Sequence, residues 1–140
     1  MLVRLLYASR GVEPINQSVL DSILQQSRAQ NAEMGITGVL CAYEDGNGFL
    51  QALEGGRSEV NRLYNKIVCD DRHTDVVLLD YAEIHERRFA NWRMGRIDLG
   101  RVNPSVLLRY CEHPRLDPTS LTARAAMAML EELTSTLSSA

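Results

Sequence analysis

A chain of 140 residues that is 45% apolar is long enough to fold as one domain around a hydrophobic core. Its 15 basic and 18 acidic residues give a net charge of −3, which argues against the concentrated positive surface of a nucleic-acid-binding module. The sequence has no apolar run of about 18 residues and no basic-then-apolar leader, so we expect a cytoplasmic protein without a membrane span.

The cysteines and histidines predict neither a disulfide framework nor a metal site. The three cysteines are odd in number and far apart, which is typical of reduced thiols inside the cell. Cys41 stands in an apolar, strand-like run and is expected to be an ordinary core residue. The three histidines have no metal-ligand spacing with the cysteines, so we expect no bound metal.

The first part of the chain predicts a strand, a helix and a hairpin. Residues 2–9 are apolar and strand-like, and Asn16 is placed to cap a helix that Gly35 would end. Residues 36–43 predict a second strand. The Gly-rich sequence EDGNG (44–48) is typical of a turn and would reverse the chain into a third strand, which gives a hairpin.

The second part predicts one more helix, two more strands and a helical tail. Ser58 is placed to cap the helix, whose buried stripe would consist of Val60, Leu63, Tyr64 and Ile67. Strands are expected at residues 75–83 and 94–99, separated by a basic, loop-like segment. Apolar residues at helical spacing in 104–112 and 119–137 indicate two further helices.

The order of these elements is typical of a ferredoxin-like fold. Right-handed crossovers in a β-α-β-β-α-β chain place both helices on one face of a mixed sheet. We therefore predict an α/β (α+β) protein of ferredoxin-like βαββαβ order with a fifth strand. Because the strands are apolar on both faces, C-terminal helices are expected to cover the other face. Residues 1–100 would form the main domain and residues 101–140 a helical extension, which completes the core and could also serve as an output element or dimer contact.

Gln51 places an amide in the middle of an apolar strand, between Phe49 and Leu53. Residues two apart in a strand share a face, so this amide is expected to point into the core, where an unbonded amide costs about 1–3 kcal/mol. Tyr7 would lie on the adjacent strand, and Asn31 ends the apolar stripe of the first helix. These three polar groups are expected to converge in one pocket between sheet and helices. Three simpler interpretations stay open at this point. Tyr7 as an ordinary core tyrosine, Asn31 as a helix C-cap, and Gln51 as an amide bonded within the core are all consistent with the sequence.

Five segments in this order resemble the BLUF domains, which are blue-light receptors that bind FAD without covalent attachment. They are LLYAS with Tyr7, RAQNAEMGITGVL with Asn31, FLQALEG with Gln51, DDRH (70–73) and RRFANWRM (87–94). The resemblance covers residues 2–99, and the short tail without an enzymatic domain is similar to the stand-alone members of the family. The absence of GxGxxG does not count against flavin, because these domains do not use the dinucleotide-binding fingerprint.

The resemblance implies a role for each polar residue of the pocket. Asn31 would fix the pyrimidine edge of the flavin, and Gln51 would bridge the Tyr7 hydroxyl and the flavin atoms N5 and O4. Ile23 and Phe49 would pack near the ring. The ribose and phosphate end of the cofactor would lie near Arg28, Lys66, Asp70, Arg72 and His73.

Two positions depart from the pattern of the family. Lys66 stands where relatives often have Arg, which keeps a charge and loses a bidentate fork. Gln30 stands where some relatives have a second Asn. For Arg72 and His73, an ordinary solvated face is left open.

By resemblance, the function is a photocycle without substrate turnover, so we expect a photosensory flavoprotein and not an enzyme. Light would drive an electron and a proton from Tyr7 to the flavin through the Gln51 amide, and recombination would leave Gln51 rotated or tautomerised in a red-shifted signalling state. Trp92 and Met94 match the family's semi-mobile pair on the last strand, next to Gln51, and their exchange would relay the change to the C-terminal helices and a downstream protein partner. Which of the two lies near the flavin, and a plain core role for Trp92, stay open. FMN or riboflavin as substitutes for FAD, and a homodimer, are left open.

Two other classes of function share this fold. An acylphosphatase-like hydrolase would use a phosphate-binding loop with Arg10, but SRGVEPIN is weakly phosphate-like and this hypothesis leaves Gln51 unexplained. A regulatory binding module without flavin would bond Gln51 only within the core. An RNA-recognition module ranks last, because the aromatic content is 6% and no paired surface aromatics stand on the central strands.

Overall fold

The computed structural model describes residues 1–12, 17–43, 48–117 and 120–136. The expected helix cap Asn16 and most of the turn EDGNG lie outside the described residues. In these ranges, no helix combines the length and the apolar character needed to span a bilayer.

The strands and helices follow the predicted order. The strands are β1 (Leu2–Gly11), β2 (Thr37–Tyr43), β3 (Gly48–Gly56), β4 (His73–Ile84) and β5 (Arg93–Asp98). The helices are α1 (Gln17–Met34), α2 (Arg57–Val68), α3 (Pro104–Tyr110) and α4 (Ala123–Thr136), and a 3-10 turn covers Leu99–Arg101. Strand β4 is longer than expected at both ends, and Leu99 belongs to the turn after β5.

A glycine forms the end of α1, as predicted. Gly35 has a φ of +68°, in the left-handed region that side chains disfavour. The N–H of Ile36 then donates to the carbonyl of Asn31 at 2.9 Å, which closes the last turn in a Schellman arrangement. Asn31 therefore lies within the last turn of the helix and is not its C-cap.

The start of α2 differs from the prediction that Ser58 caps it. The N-cap is Gly56, which has no capping side chain, and Ser58 lies in the first turn. The physical reason is that β3 runs into α2 without a linker, so the cap position falls on the last residue of the strand. Glycine at this position costs only a few tenths of a kcal/mol relative to a capping residue.

The five strands form one mixed sheet in the order β4-β1-β3-β2-β5. Strand β3 is antiparallel to β1 and β2, and β5 is parallel to β2. Tyr7 lies directly opposite Gln51 in the β1–β3 ladder, at the centre of the sheet. Because side chains alternate along each strand, directly paired residues point to the same face.

Helices cover both faces of the sheet. On the face of α1 and α2, the buried core includes Val3, Leu5, Leu24, Leu40, Leu53 and Val60. On the opposite face, sheet residues Leu6, Cys41 and Leu50 pack with Leu107, Met129, Leu130 and Leu133 of α3 and α4. The C-terminal helices thus bury the second apolar face, as the two-sided apolar strands predict.

Candidate functional site

A cavity of about 250 Å³ lies between the sheet and helices α1 and α2. Eight expected site residues line it, namely Tyr7, Asn31, Phe49, Gln51, Lys66, Asp70, Arg72 and His73. Gln26, Ser27, Gln30, Leu40, Leu63 and Ile67 complete its wall. Arg28 is exposed on α1 and does not belong to the wall, and the side chain of Ile23 lies outside the described part of the chain.

The phenol of Tyr7 donates a hydrogen bond to the side-chain oxygen Oε1 of Gln51. Both residues are almost fully enclosed, with 4% and 7% of their surfaces exposed. Burial, and after it the neighbouring Tyr64 and Asp70, raises the pKa of Tyr7 well above its usual value of 10.0. The phenol is therefore protonated throughout the physiological pH range and acts as the donor.

The other end of the Gln51 amide contacts a sulfur atom. Its Nε2 donates to Sδ of Met94 at 3.0 Å, and a thioether is only a weak acceptor. A chain of hydrogen bonds thus runs from Tyr7 on β1 through Gln51 on β3 to Met94 on β5. Because the amide carries a donor and an acceptor on one rotatable group, it can exchange them without movement of the backbone.

Among the buried side chains that the structure describes, Asn31 alone has polar atoms without a hydrogen-bond partner. Asn31 is 2% exposed and lines the cavity. An unsatisfied buried amide costs about 1–3 kcal/mol, and folded proteins rarely contain one unless a ligand completes it. An amide presents a donor beside an acceptor, which matches a ring edge that carries a carbonyl next to an N–H, such as the pyrimidine edge of a flavin.

His73 closes one wall of the cavity and is held at both ring nitrogens. Its Nε2 lies 2.6 Å from the carbonyl of Ile67, which can only accept, so Nε2 carries the proton. In the neutral ring, Nδ1 then accepts from the hydroxyl of Ser9 at 2.8 Å. His73 therefore ties the end of α2 to β1 and has no ring nitrogen left for a phosphate group.

At the mouth of the cavity, Arg72 is paired with Asp70. The guanidinium Nε lies 2.9 Å and 3.0 Å from the two carboxylate oxygens. This hydrogen bonding holds the pKa of Asp70 below its usual value of 3.8. Lys66 forms no ion pair with any residue in the described ranges. The ammonium group of Lys66, unlike the guanidinium of Arg72, is thus available to an anionic ligand group.

Trp92 and Met94 lie on opposite faces of the sheet. Met94 belongs to the core on the cavity side, whereas Trp92 packs in the core beneath α3 and α4 and is 5% exposed. In this arrangement Met94 lies next to Gln51, whereas Trp92 occupies the position of a core aromatic, and an exchange of the two residues stays a prediction.

A β-bulge at Met94 causes this separation. Gly38 pairs with Arg93 and Val39 pairs with Gly95, so Met94 is an extra residue with no counterpart on β2. Its φ is +57°, in a region that is uncommon for residues with a side chain. In a regular strand it would share a face with the residue two positions earlier, and the bulge turns it to the cavity side instead.

A buried carboxylate holds the segment that leads into β5. Glu54 is 0% exposed and accepts hydrogen bonds from the backbone N–H groups of Arg88 and Phe89 at 3.0 Å and 2.7 Å. It also forms an ion pair with Arg4 at 3.0 Å. Gln51 and Glu54 both lie on β3. Gln51 bonds Met94 on β5, and Glu54 bonds the segment just before β5, so β3 contacts this part of the chain at two places.

Among the described residues, the arginine expected for a phosphate-binding loop is paired with carboxylates, and no cluster of metal ligands is found. Arg10 forms ion pairs with Asp117 at 3.0 Å and with Asp75 at 3.6 Å, so two carboxylates already neutralise the guanidinium that a phosphate-binding loop would use. In the part of the chain that the structure describes, no group of three or more His, Cys, Asp or Glu side chains could hold a metal ion.

Comparison with known sequences identifies a sensor family. Residues 2–95 match the family BLUF, sensors of blue-light using FAD. The photoactivated adenylate cyclase subunit beta of Euglena longa is 39% identical over 94 residues, which are 66% of this chain and 11% of that protein. The blue light- and temperature-regulated antirepressor BluF of Escherichia coli (strain K12) is 34% identical over 103 residues, which are 71% of this chain and 24% of that protein. The chain thus spans a small part of these relatives.

Two solved structures match this chain over nearly its whole length. The BLUF protein BlrB in its dark state is 30% identical, covers 97% of each chain and superimposes with a TM-score of 0.79. BlsA in its photo-activated state is 34% identical, covers 95% of this chain and 94% of that one, and has a TM-score of 0.80. The chain belongs to the BLUF family of blue-light sensors that use FAD.

Proposed function

We propose that this chain is a blue-light photoreceptor that holds FAD without covalent attachment in the cavity between the sheet and α1 and α2. The buried amide of Asn31 carries the proposal, because it needs a ligand with a donor and an acceptor side by side. The hydrogen-bonded pair of Tyr7 and Gln51 lines the same cavity. The alternative hypothesis, a binding module without flavin, explains the hydrogen bond between Tyr7 and Gln51. It leaves the amide of Asn31 without a hydrogen-bond partner among the described residues.

The composition of the cavity wall suits a heterocycle with a charged tail. Leu40, Phe49, Leu63 and Ile67 offer apolar surface to a flat ring, and the other lining residues are polar or charged and can bond its edges and its tail. At the mouth, Lys66 offers a charge to a phosphate, whereas Arg72 is already engaged by Asp70. We propose FAD as the bound form because the family uses it. With so few cationic groups at the mouth, FMN or riboflavin can take its place.

In the proposed photocycle, Tyr7 gives up an electron and a proton and later recovers both. A bound flavin would supply the absorption of blue light and the acceptor for both the electron and the proton. The phenolic proton leaves Tyr7 through its hydrogen bond to Oε1 of Gln51, so the amide lies on the path of the proton. After the return of the electron and the proton, Gln51 would be left rotated or tautomerised, and it would offer a bound flavin a different hydrogen bond, which would account for a red-shifted state. No substrate is consumed.

The proposed relay to the rest of the molecule begins at Met94. Rotation of the Gln51 amide moves its N–H away from Sδ of Met94, and this hydrogen bond is lost. Met94 occupies a bulge with a strained φ, and Trp92, two residues earlier, packs beneath α3 and α4. A change in the bulge can therefore reach those helices, which need only a second arrangement of similar free energy. We propose that α3 and α4 present the signal to a protein partner, for which a second copy of this chain is one candidate.

The absorption spectrum of the purified protein, before and after blue light, tests this function. We expect a yellow protein whose flavin bands move slightly to the red under blue light and return in the dark. A sample kept under red light controls for heating and should not shift. A colourless protein after mild purification, or bound flavin without a light-induced shift, would contradict the proposal. Chromatography of the extracted cofactor then identifies the bound flavin.

A further inference from the structure

We infer that the absence of a side chain at Gly95 allows Trp92 to pack on the face covered by α3 and α4, and that Gly95 and the bulge at Met94 together keep the indole ring away from Gln51. Gly95 does not line the cavity, so its role is separate from binding of the cofactor. The inference deepens the proposed relay, and its functional part rests on that proposed function.

The ring of Trp92 occupies the space that a side chain at position 95 would need. A Cβ atom placed on Gly95 would lie 1.8 Å from Cε3 and 2.5 Å from Cζ3 of the Trp92 ring. Carbon atoms in contact are usually about 3.5–4.0 Å apart. An alanine at this position is therefore incompatible with the present position of the ring.

The ring has little room to move aside, because Trp92 is buried and its backbone is held in place. It is 5% exposed within the core beneath α3 and α4. The backbone N–H of Trp92 donates to the carbonyl of Phe89 at 3.0 Å, and the backbone carbonyl of Trp92 accepts from the N–H of Gly38 at 2.9 Å. A side chain at position 95 would thus force the ring out of this core, while the backbone around it stays fixed.

The bulge at Met94 and Gly95 act together. In a regular strand Trp92 and Met94 would share a face, and the φ of +57° at Met94 separates them. Gly95 follows directly and leaves room for the indole to fold back over the strand. Gly38 is also tightly packed, with a Cβ position 2.0 Å from the carbonyl oxygen of Ala52. That conflict is with the backbone of β3, so Gly95 is the glycine whose replacement acts on the tryptophan.

Trp92 is the single tryptophan of the chain, so intrinsic tryptophan fluorescence reports on it alone. We compare Gly95→Ala with Gly56→Ala, whose Cβ would meet no atom within 4 Å. In the dark, Gly95→Ala should move the emission maximum to longer wavelength and increase quenching by acrylamide several-fold, and Gly56→Ala should change neither. Emission and quenching of Gly95→Ala that equal those of the wild type would overturn the inference.

Trp92→Leu provides a second test that does not depend on Gly95→Ala folding. Leucine lacks the two ring atoms that conflict with a Cβ at position 95. Gly95→Ala should therefore lower the urea midpoint strongly in the wild type, or prevent folding, and lower it much less in the Trp92→Leu background. Equal losses in both backgrounds would show that the cost does not come from the indole ring, which overturns the inference.

A third measurement separates this inference from the proposed function. With flavin bound, Gly95→Ala should keep the red shift, because Tyr7 and Gln51 are unchanged, and should lose the light-induced change in hydrogen exchange of α3 and α4. The relay is overturned if light changes the hydrogen exchange of α3 and α4 as much in Gly95→Ala as in the wild type. It is also overturned if light does not change their hydrogen exchange in the wild type. If the wild type binds no flavin, the proposed function fails, and the fluorescence and urea results still decide the role of Gly95.

Discussion

The hydroxyl of Tyr7 and the side-chain oxygen of Gln51 are hydrogen bonded across two neighbouring strands, at positions that lie directly opposite each other. The ladder between β1 and β3 fixes the spacing of the two side chains, and their burial removes competing water. A pair held in this way can change its hydrogen bonding while the backbone stays in place. This rigidity is what a light-driven proton movement requires, because the donor and the amide must be aligned before excitation.

Tyr7→Phe should retain the flavin and lose the light-induced red shift. The substitution removes the O–H that donates to Gln51 and leaves the aromatic ring in the wall of the cavity. The light-minus-dark difference spectrum measures the effect. Tyr64→Phe is the matched control, because its ring lies 5.8 Å from that of Tyr7 and should leave the shift intact. A full shift in Tyr7→Phe would exclude Tyr7 as the donor.

The raised pKa of Tyr7 predicts a loss of stability at high pH. The unfolded chain releases this proton near pH 10.0, whereas the buried phenol keeps it above that pH. The contribution of Tyr7 to the free energy of unfolding is therefore complete below the pKa of the unfolded chain. Above that pKa it falls by about 1.4 kcal/mol for each pH unit, as long as the folded protein keeps the proton. Urea unfolding between pH of about 9 and 11.5 measures the slope. Tyr7→Phe should have a shallower slope, and equal slopes would contradict the assignment, because Tyr64 titrates in both proteins.

Asn31→Ala should separate stability from flavin binding. Since the side-chain amide has no partner among the described residues, its removal relieves a penalty of about 1–3 kcal/mol, and the flavin-free protein should be at least as stable as the wild type. Flavin affinity should fall roughly tenfold or more, equivalent to about 1.4 kcal/mol. Urea unfolding and flavin titration measure the two effects. Gln30→Ala, at an exposed residue of the cavity wall, is the control. A loss of stability with unchanged affinity would contradict this role.

Met94→Leu should preserve the red shift and slow the return to the dark state. The substitution keeps the approximate volume and removes the acceptor of the Gln51 N–H, a bond worth about 0.5–1 kcal/mol. Since only the dark arrangement uses this bond, we expect recovery to slow by roughly 2- to 5-fold. Absorbance after a light pulse measures the rate. Met34→Leu, in the same core and away from Gln51, should recover at the rate of the wild type. An unchanged rate in Met94→Leu would argue against this contact.

Glu54→Gln should lower the free energy of unfolding by about 3 kcal/mol, because a buried ion pair loses one partner and an NH₂ group faces a backbone donor. Glu54 is paired with Arg4 and accepts from the N–H of Phe89. Glu83→Gln is the control, since its pair with Arg57 is exposed and should contribute less than about 1 kcal/mol. Urea unfolding compares the two variants. Similar losses in both would show that the buried carboxylate has no special role.

The parts of the site that local patterns determine can be predicted from the sequence. Strand alternation and the order of elements bring Tyr7 opposite Gln51 and turn both to the helix-covered face. The glycine after α1 can be predicted from residue type alone, because Gly35 adopts the left-handed conformation. The change of the α1 stripe from apolar to polar indicates the position of Asn31 and could also have indicated Ser27, which lines the cavity.

The remaining parts depend on contacts between distant segments. The bulge that separates Met94 from Trp92 comes from the pairing of β5 with β2, and alternation alone would place both residues on one face. The contact between Ser9 and His73 joins residues 64 positions apart, and no local pattern indicates it. The burial of Glu54 depends in the same way on backbone donors 34 and 35 positions away.

If flavin completes the amide of Asn31, which has no partner among the described residues, the lifetime of the protein in the cell depends on the supply of flavin. A ligand that completes this amide binds the native state alone, and at a concentration of 100 times its Kd it adds about 2.7 kcal/mol of stability. Newly made chains without flavin would spend a larger fraction of time unfolded and would be degraded sooner by cellular proteases. Copies that cannot sense light would thus be removed before they compete for a signalling partner. The number of working receptors would then follow flavin synthesis as closely as it follows translation.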